Sequence, residues 1–271
     1  MAPIEWLESI LVPVFKKGSA ADCNNYRGIA LIRLVAKLFN RILCDRLRAG
    51  LDGRLRYSQN GFRTLRSTSQ HELALRRKIE ETRDTELTKL IAIFIDFSKA
   101  FDSVSWDWIR AILLHYNIPT FLVDSIMSLY LGAKAKVRYD KGKFTDSIDL
   151  SVGVLQGDTL APYLFIIVMD FVQRIALDDE PSSGLLIKHG TRRTRKYLTD
   201  LAFADDISLL SDNAENAQKM VLAVERVALR IGLRINLSKT EYLLVGHWDA
   251  QVTTRLASGV VKRVDDLVRG L

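Results

Sequence analysis

Phe203-Ala204-Asp205-Asp206 sets two adjacent carboxylates inside an apolar stretch, with residues 197–202 before them and 207–210 after. Flanks of that kind read as two short strands joined at the acidic pair, which puts both charges at a hairpin tip. Neighbouring like charges repel and each resists burial, so a cation is the natural way to hold them there. A third carboxylate, Asp96, follows Leu90-Ile91-Ala92-Ile93-Phe94-Ile95, a run with the length and branching of a buried strand. Acids at the ends of two core strands lying side by side predict a divalent-metal site of the kind used in nucleotide transfer.

The composition is compatible with that chemistry. The chain has 271 residues, 48% hydrophobic and 26% charged, enough for a substantial core. Its 39 Lys and Arg against 32 Asp and Glu give a formal charge of +7, which favours a polyanionic partner. Cys23 and Cys44 form no CxxC pattern and the four histidines are scattered. That argues against a structural zinc site or disulfide framework and fits a reducing compartment. No apolar run reaches the ~20 residues of a membrane span. The amino terminus also lacks the basic-then-apolar order of a signal peptide.

The elements that must position the acids follow from periodicity. Residues 10–15 read as a strand ending at the basic turn Lys16-Lys17-Gly18, and residues 31–47 as a helix stopped by Gly50. Ser67-Thr68-Ser69 caps a helix through Ile79. Helices are expected over residues 106–116, from Pro119 to about Leu131, and over 159–177; strands over 134–139 and 144–150. Asp212 with Glu215 forms a capping-box pattern for a helix to about Ile231, followed by short strands at 233–237 and 242–245. Strands, helices and hairpins mixed in this way argue for an α+β fold, and the order around Asp96 and the hairpin suits a split β-α-β unit.

Several segments together resemble the reverse transcriptase domain of LINE-type (non-LTR) retrotransposons. They are the stretch from Ile10 to Gly18, Asn25-Tyr26-Arg27-Gly28, Gln59-Asn60-Gly61-Phe62-Arg63 and the stretch from Phe94 to Asp102. Gly153-Val154-Leu155-Gln156-Gly157-Asp158, Phe203-Ala204-Asp205-Asp206 and Gly232-Leu233-Arg234-Ile235-Asn236 complete the series. The resemblance implies an α+β right-hand polymerase: fingers over residues 1–90, a palm with a split β-α-β antiparallel sheet over 91–246, and 247–271 as the start of a thumb or a connection. On this reading the thumb is incomplete and an endonuclease domain lies elsewhere in the full-length element protein.

By the same resemblance, Asp96 and Asp205, with Asp206 beside them and the carbonyl of Phe97, ligate two Mg2+ ions, with Mn2+ as a substitute. Phe101 reads either as a core aromatic or, by its offset from Asp96, as the steric gate that excludes a 2′-hydroxyl. Gln156 and Gly157 match the segment that meets template and nucleotide, and Arg27 the fingers residue that grips a triphosphate. Lys239 matches a lysine that protonates pyrophosphate. Lys16, Lys17, Arg63, Arg66 and the basic turn at 192–196 are candidates for phosphate contacts, each otherwise a solvated charge. The expected partners are an RNA template, a DNA primer and dNTP, with no membrane, in an intracellular and, by resemblance, nuclear setting. The rivals are a group II intron-type enzyme, a viral RNA polymerase, which Phe101 disfavours, and a domesticated or truncated copy that binds nucleic acid without polymerising.

Overall fold

Leu90, Ile91, Ala92 and Ile93 have no exposed surface, because their strand lies at the centre of a five-stranded sheet covered on both faces. The computed structural model describes residues 2–85, 88–187, 196–248 and 251–264. In chain order its elements begin with β1 (Glu8–Phe15), β2 (Tyr26–Leu31), α1 (Leu34–Leu51), α2 (Thr68–Arg83) and β3 (Leu90–Ile95). There follow α3 (Ala100–Ser103), α4 (Trp106–His115), α5 (Thr120–Met127), β4 (Lys134–Asp140), β5 (Lys143–Phe144), β6 (Ile148–Asp149) and α6 (Ala161–Leu177). The remainder is β7 (Leu185–Ile187), β8 (Lys196–Leu198), β9 (Asp200–Phe203), β10 (Asp206–Ser211), α7 (Ala214–Arg230), β11 (Glu241–Val245), β12 (Arg255–Leu256), β13 (Gly259–Val260) and β14 (Lys262–Val264). The fold is α+β.

The chain divides into two compact units, residues 1–55 with 101–168 and residues 56–100 with 169–271. In the first, the sheet runs β2-β1-β4-β5 with β6 also on β4; β1 is antiparallel to β2 and parallel to β4. Helix α1 buries Ala36, Asn40, Leu43, Cys44, Leu47 and Leu51 on one face, the spacing of an amphipathic helix. It runs past Gly50, the expected stop. That glycine has open space around it, and a mid-helix glycine costs only about 1 kcal/mol.

The second unit is built on the order β14-β11-β3-β10-β9, antiparallel except that β14 runs parallel to β11. Helix α2 packs Leu75 and Ile79 on the face carrying Leu90, Ala92, Leu210, Leu243 and Val245. Ile91 and Ile93 alternate to the other face, and burying each contributes about 1.5–3 kcal/mol. Helix α7 buries Ala217, Met220, Val221, Val224 and Ala228 along β3 and β10. Its cap is Asn213, whose Oδ1 accepts from the amides of Glu215 and Asn216 at 2.8 and 3.0 Å, rather than the expected Asp212. One residue decides this, because only the residue just before the first turn can aim a side-chain oxygen at those amides.

Two further expectations are corrected here. The strand expected over 197–202 breaks at Thr199: β8 pairs with β7, while β9 pairs with β10. Residues 233–237 form a single bridge, Ile235 to Phe97, instead of a strand. The basic-turn residues Arg192, Arg193 and Arg195 lie outside the described residues.

Candidate active site

Asp206 opens β10 and Asp96 leaves β3. Their strands pair antiparallel with Ile207 opposite Ile95, so one step further the two acids stand opposite each other. Phe203 pairs with Asp206, leaving Ala204 and Asp205 as a two-residue hairpin loop. Ala204 has a φ of +56°, the left-handed conformation that usually selects glycine at this place, at a cost of about 1–2 kcal/mol for an L side chain. Asp205 is half-buried at the tip.

The electrostatics of the pair are those of an anionic site short of a cation. Asp206 keeps an open edge, yet its carboxyl is pushed above its ordinary range. Desolvation is the main cause and the Asp96 charge the second, with Lys239 pulling the other way. Oδ2 of Asp96 is shut off from solvent and accepts no hydrogen bond; Lys239 Nζ stands 3.5 Å from it. Among the described residues, no three His, Cys, Asp or Glu side chains are grouped so that they could hold a metal ion by themselves. Mg2+ does not need such a group, since it binds through one or two carboxylates and completes its shell with water and substrate phosphate. A buried carboxylate oxygen without a hydrogen-bond donor, held only by the Lys239 ion pair, beside a second, destabilised carboxylate is a donor set that fits such a hard cation.

The exit of Asp96 is held from one side. Asn236 N–H donates to Asp96 O at 2.8 Å and Ser98 N–H donates to Arg234 O at 2.8 Å, while Asp96 N–H donates to Thr240 Oγ1 at 3.4 Å. Between those bonds Phe97 is the non-hydrogen-bonded partner of Ile235, so its own carbonyl points away from residues 234–236. The same short segment carries Lys239, whose N–H donates to Asn236 O at 3.2 Å.

Within the first unit, Arg27 is exposed on β2 opposite Val14, and Lys16 and Lys17 are exposed beyond β1. Phe101 is half-buried and stacks on Phe165, with ring centroids 4.3 Å apart at 15°. Gln156 accepts from Ala30 N–H at 2.6 Å through its carbonyl, and its Nε2 donates to Asp102 Oδ1 at 3.1 Å. Gly157 has a φ of +107°, and a Cβ there would lie 2.7 Å from Ala30 O, so no other residue fits. Asp158 is buried, accepts from Asn40 Nδ2 at 2.7 Å and bonds the amides that open α6, as a cap should.

Arg63 is buried in its loop. It is 8% exposed, and its Nη1 donates to the carbonyls of Arg56 and Gln59 at 2.8 and 3.1 Å. These two bonds staple the loop between residues 56 and 63. Arg66 is half-buried, donating to Tyr57 O at 2.6 Å and lying over the Tyr57 ring at 4.6 Å.

Sequence reasoning missed two groups. Asp200, 1% exposed at the start of β9, accepts from Arg56 Nη2 at 2.5 Å, Ser58 Oγ at 2.6 Å and Gln173 Nε2 at 3.0 Å. Arg56 also donates from its backbone to Asp170 Oδ1 at 2.5 Å and pairs with Asp178 through Nη1. The signal was present: a carboxylate inside an apolar strand must be paired to be buried. Gln59 is the other. It is 0% exposed and hydrogen-bonded to Ala204 of the acidic turn. Nothing in its local sequence signals that.

The family model described as reverse transcriptase (RNA-dependent DNA polymerase) matches residues 14–261. A retrovirus-related Pol polyprotein from the type-1 retrotransposable element R2 of Popillia japonica is 30% identical over 240 residues, covering 88% of this chain and 32% of that protein. A putative 115 kDa protein in the type-1 retrotransposable element R1DM of Drosophila melanogaster is 25% identical, covering 90% of this chain and 22% of its own length. The chain thus spans about a third or less of these curated relatives. Among solved structures, apo telomerase from Candida tropicalis, truncated from its C-terminal domain, matches with a TM-score of 0.60. That match has 14% identity and covers 95% of this chain and 53% of the telomerase chain, which establishes the fold.

Proposed function

The chain belongs to the reverse transcriptase (RNA-dependent DNA polymerase) family, and from that premise we propose that it extends the 3′-hydroxyl of a DNA primer with dNTPs on an RNA template, as the polymerase of a non-LTR retrotransposon. The observation that carries this reading is Asp96 opposite Asp206, with an Asp96 oxygen buried and without a hydrogen-bond donor.

Reverse transcriptases generally use divalent metal ions. Here Asp96, Asp205, Asp206 and the Phe97 carbonyl would hold two Mg2+, with Mn2+ able to substitute. When bound, the ions lower the pKa of the primer hydroxyl and neutralise charge on the leaving pyrophosphate. Asp206 shares the Asp96 charge field and tunes it. Lys239, 64% exposed and paired to Asp96, is free to swing and deliver a proton to pyrophosphate. Arg27 binds the triphosphate with its planar fork of donors, and Lys16 and Lys17 add sequence-independent phosphate affinity. Phe101 excludes the 2′-hydroxyl, while Gln156 and Gly157 meet the template and incoming base.

In this reading residues 1–90 are fingers, 91–246 palm and 247–271 the start of a thumb or a connection. The primer is nicked chromosomal DNA, the nick coming from an endonuclease domain of the full-length polyprotein in the nucleus. Among the described residues no helix is long and apolar enough to cross a membrane. Primer extension on poly(rA)/oligo(dT) with Mg2+, with Asp205→Asn as control, tests the proposal. Extension lost in the variant is expected. RNA binding without extension by the unaltered protein overturns it in favour of an inert nucleic-acid-binding copy.

A further inference from the structure

Residues 58–60 run beside β9 as a one-residue parallel bridge centred on Gln59. Ala202 N–H donates to Ser58 O at 3.0 Å and Asn60 N–H to Ala202 O at 2.8 Å. From that bridge the buried Gln59 side chain reaches Ala204. Ala204 N–H donates to Gln59 Oε1 at 2.8 Å, and Gln59 Nε2 donates to Ala204 O at 3.3 Å. One amide therefore holds both polar groups of a single backbone residue. That residue is the one with positive φ, immediately before Asp205. Gly61 N–H donates to the same Oε1 at 2.8 Å and so fixes the amide in turn. A Cβ on Gly61 would lie 2.3 Å from Ala204 N, so the approach of the two segments requires glycine there for space.

We propose that Gln59 is a positioning residue. Its carboxamide clamps Ala204 in the left-handed conformation and so sets the directions in which Asp205 and Asp206 leave the turn. The clamp needs an acceptor and a donor on one uncharged group. A carboxylate would face the Ala204 carbonyl with like charge and add a third anion beside the acidic pair, and an aliphatic chain would leave buried amide groups unmet. The proposal rests on the polymerase reading, since the directions of two acids matter only if they act together.

The test compares the unaltered chain with Gln59→Met, the double variant Gln59→Met with Ala204→Gly, and Gln59→Asn. Gln59→Met is expected to lower kcat by about 10- to 100-fold, with primer–template Kd and dNTP KM within about twofold. Adding Ala204→Gly is expected to recover kcat by about 3- to 10-fold, because glycine takes positive φ without a clamp. A structural role elsewhere would not be rescued at that position. Unchanged kcat in folded Gln59→Met, or a loss that Ala204→Gly does not relieve, overturns the proposal. Should Gln59→Met fail to fold, Gln59→Asn decides, its amide being one methylene too short to reach both Ala204 groups: lower kcat with retained Kd supports the clamp and unchanged kcat removes it. If the unaltered chain itself does not extend primers, the polymerase reading fails separately. Amide hydrogen exchange at Ala204 then decides the clamp, faster exchange in Gln59→Met supporting it and equal exchange overturning it.

Discussion

Asp96 and Asp206 face each other across β3 and β10, one step beyond the Ile95–Ile207 pair, and burial together with the Asp96 charge raises the energetic cost of ionising Asp206. A cation relieves that cost, so Mg2+ or Mn2+ is expected to raise the melting temperature of the unaltered chain and not of Asp96→Asn. Asp206 has a folded-state pKa above its unfolded one, so the folded state holds its proton longer. Stability therefore falls as pH rises from the ordinary carboxylate range through the raised value. In metal-free melts from pH 4 to 7, Asp206→Asn should show a smaller decline, while losing primer extension. An identical decline in both proteins would contradict the coupling.

Arg56 and Asp200 form a buried pair, 13% and 1% exposed at their side chains, at the start of the strand that leads into the acidic turn. Removing one partner leaves a buried charge unmet, so Arg56→Ala should destabilise by about 3–5 kcal/mol. Urea unfolding followed by circular dichroism measures it; a loss under about 1 kcal/mol would mean that water replaces the pair.

His71, on α2, meets Ser208 Oγ of β10 at 3.2 Å, and burial lowers its pKa below the ordinary histidine value. A lowered folded pKa means the unfolded chain binds the proton first. Its contribution is therefore present above about pH 6.5 and lost as pH falls. His71→Gln should flatten the drop in melting temperature between pH 7 and 5.

Phe101 stacks on Phe165 at 4.3 Å, so a smaller residue opens space at the ring while thinning the core. Phe101→Val should raise ribonucleotide incorporation relative to dNTP by about 10-fold or more, the low end of what one methylene in a tight pocket discriminates. Single-nucleotide extension with each triphosphate reads this directly. Unchanged discrimination assigns Phe101 to the core alone.

Arg27 and Arg63 should separate cleanly. Exposed Arg27 changed to Ala is expected to raise dNTP KM with little effect on melting. Arg63→Ala strands the Arg56 and Gln59 carbonyls and should cost about 1–3 kcal/mol of stability. Steady-state kinetics and urea melts on the same preparations compare the two.

The acidic hairpin, the central apolar strand and the long helices were legible in the linear chain. Each is a local pattern: alternation, helical spacing, or like charges flanked by apolar residues that admit few alternatives. The α+β class and the family series followed, because order and spacing survive without coordinates. Tertiary structure alone decided which acid stands opposite Asp96, since register depends on how two strands 112 residues apart are paired, Ile95 with Ile207. It also decided that Arg63 is spent inside a loop while Arg27 remains exposed, although both are arginines in loop-flanked motifs. The Gln59 clamp and the partners of Asp200 were hidden for the same reason, although the need of Asp200 for a partner was not. A hydrogen bond across 145 residues leaves no periodicity in the sequence, and only the closing of the fold brings its donor and acceptor together.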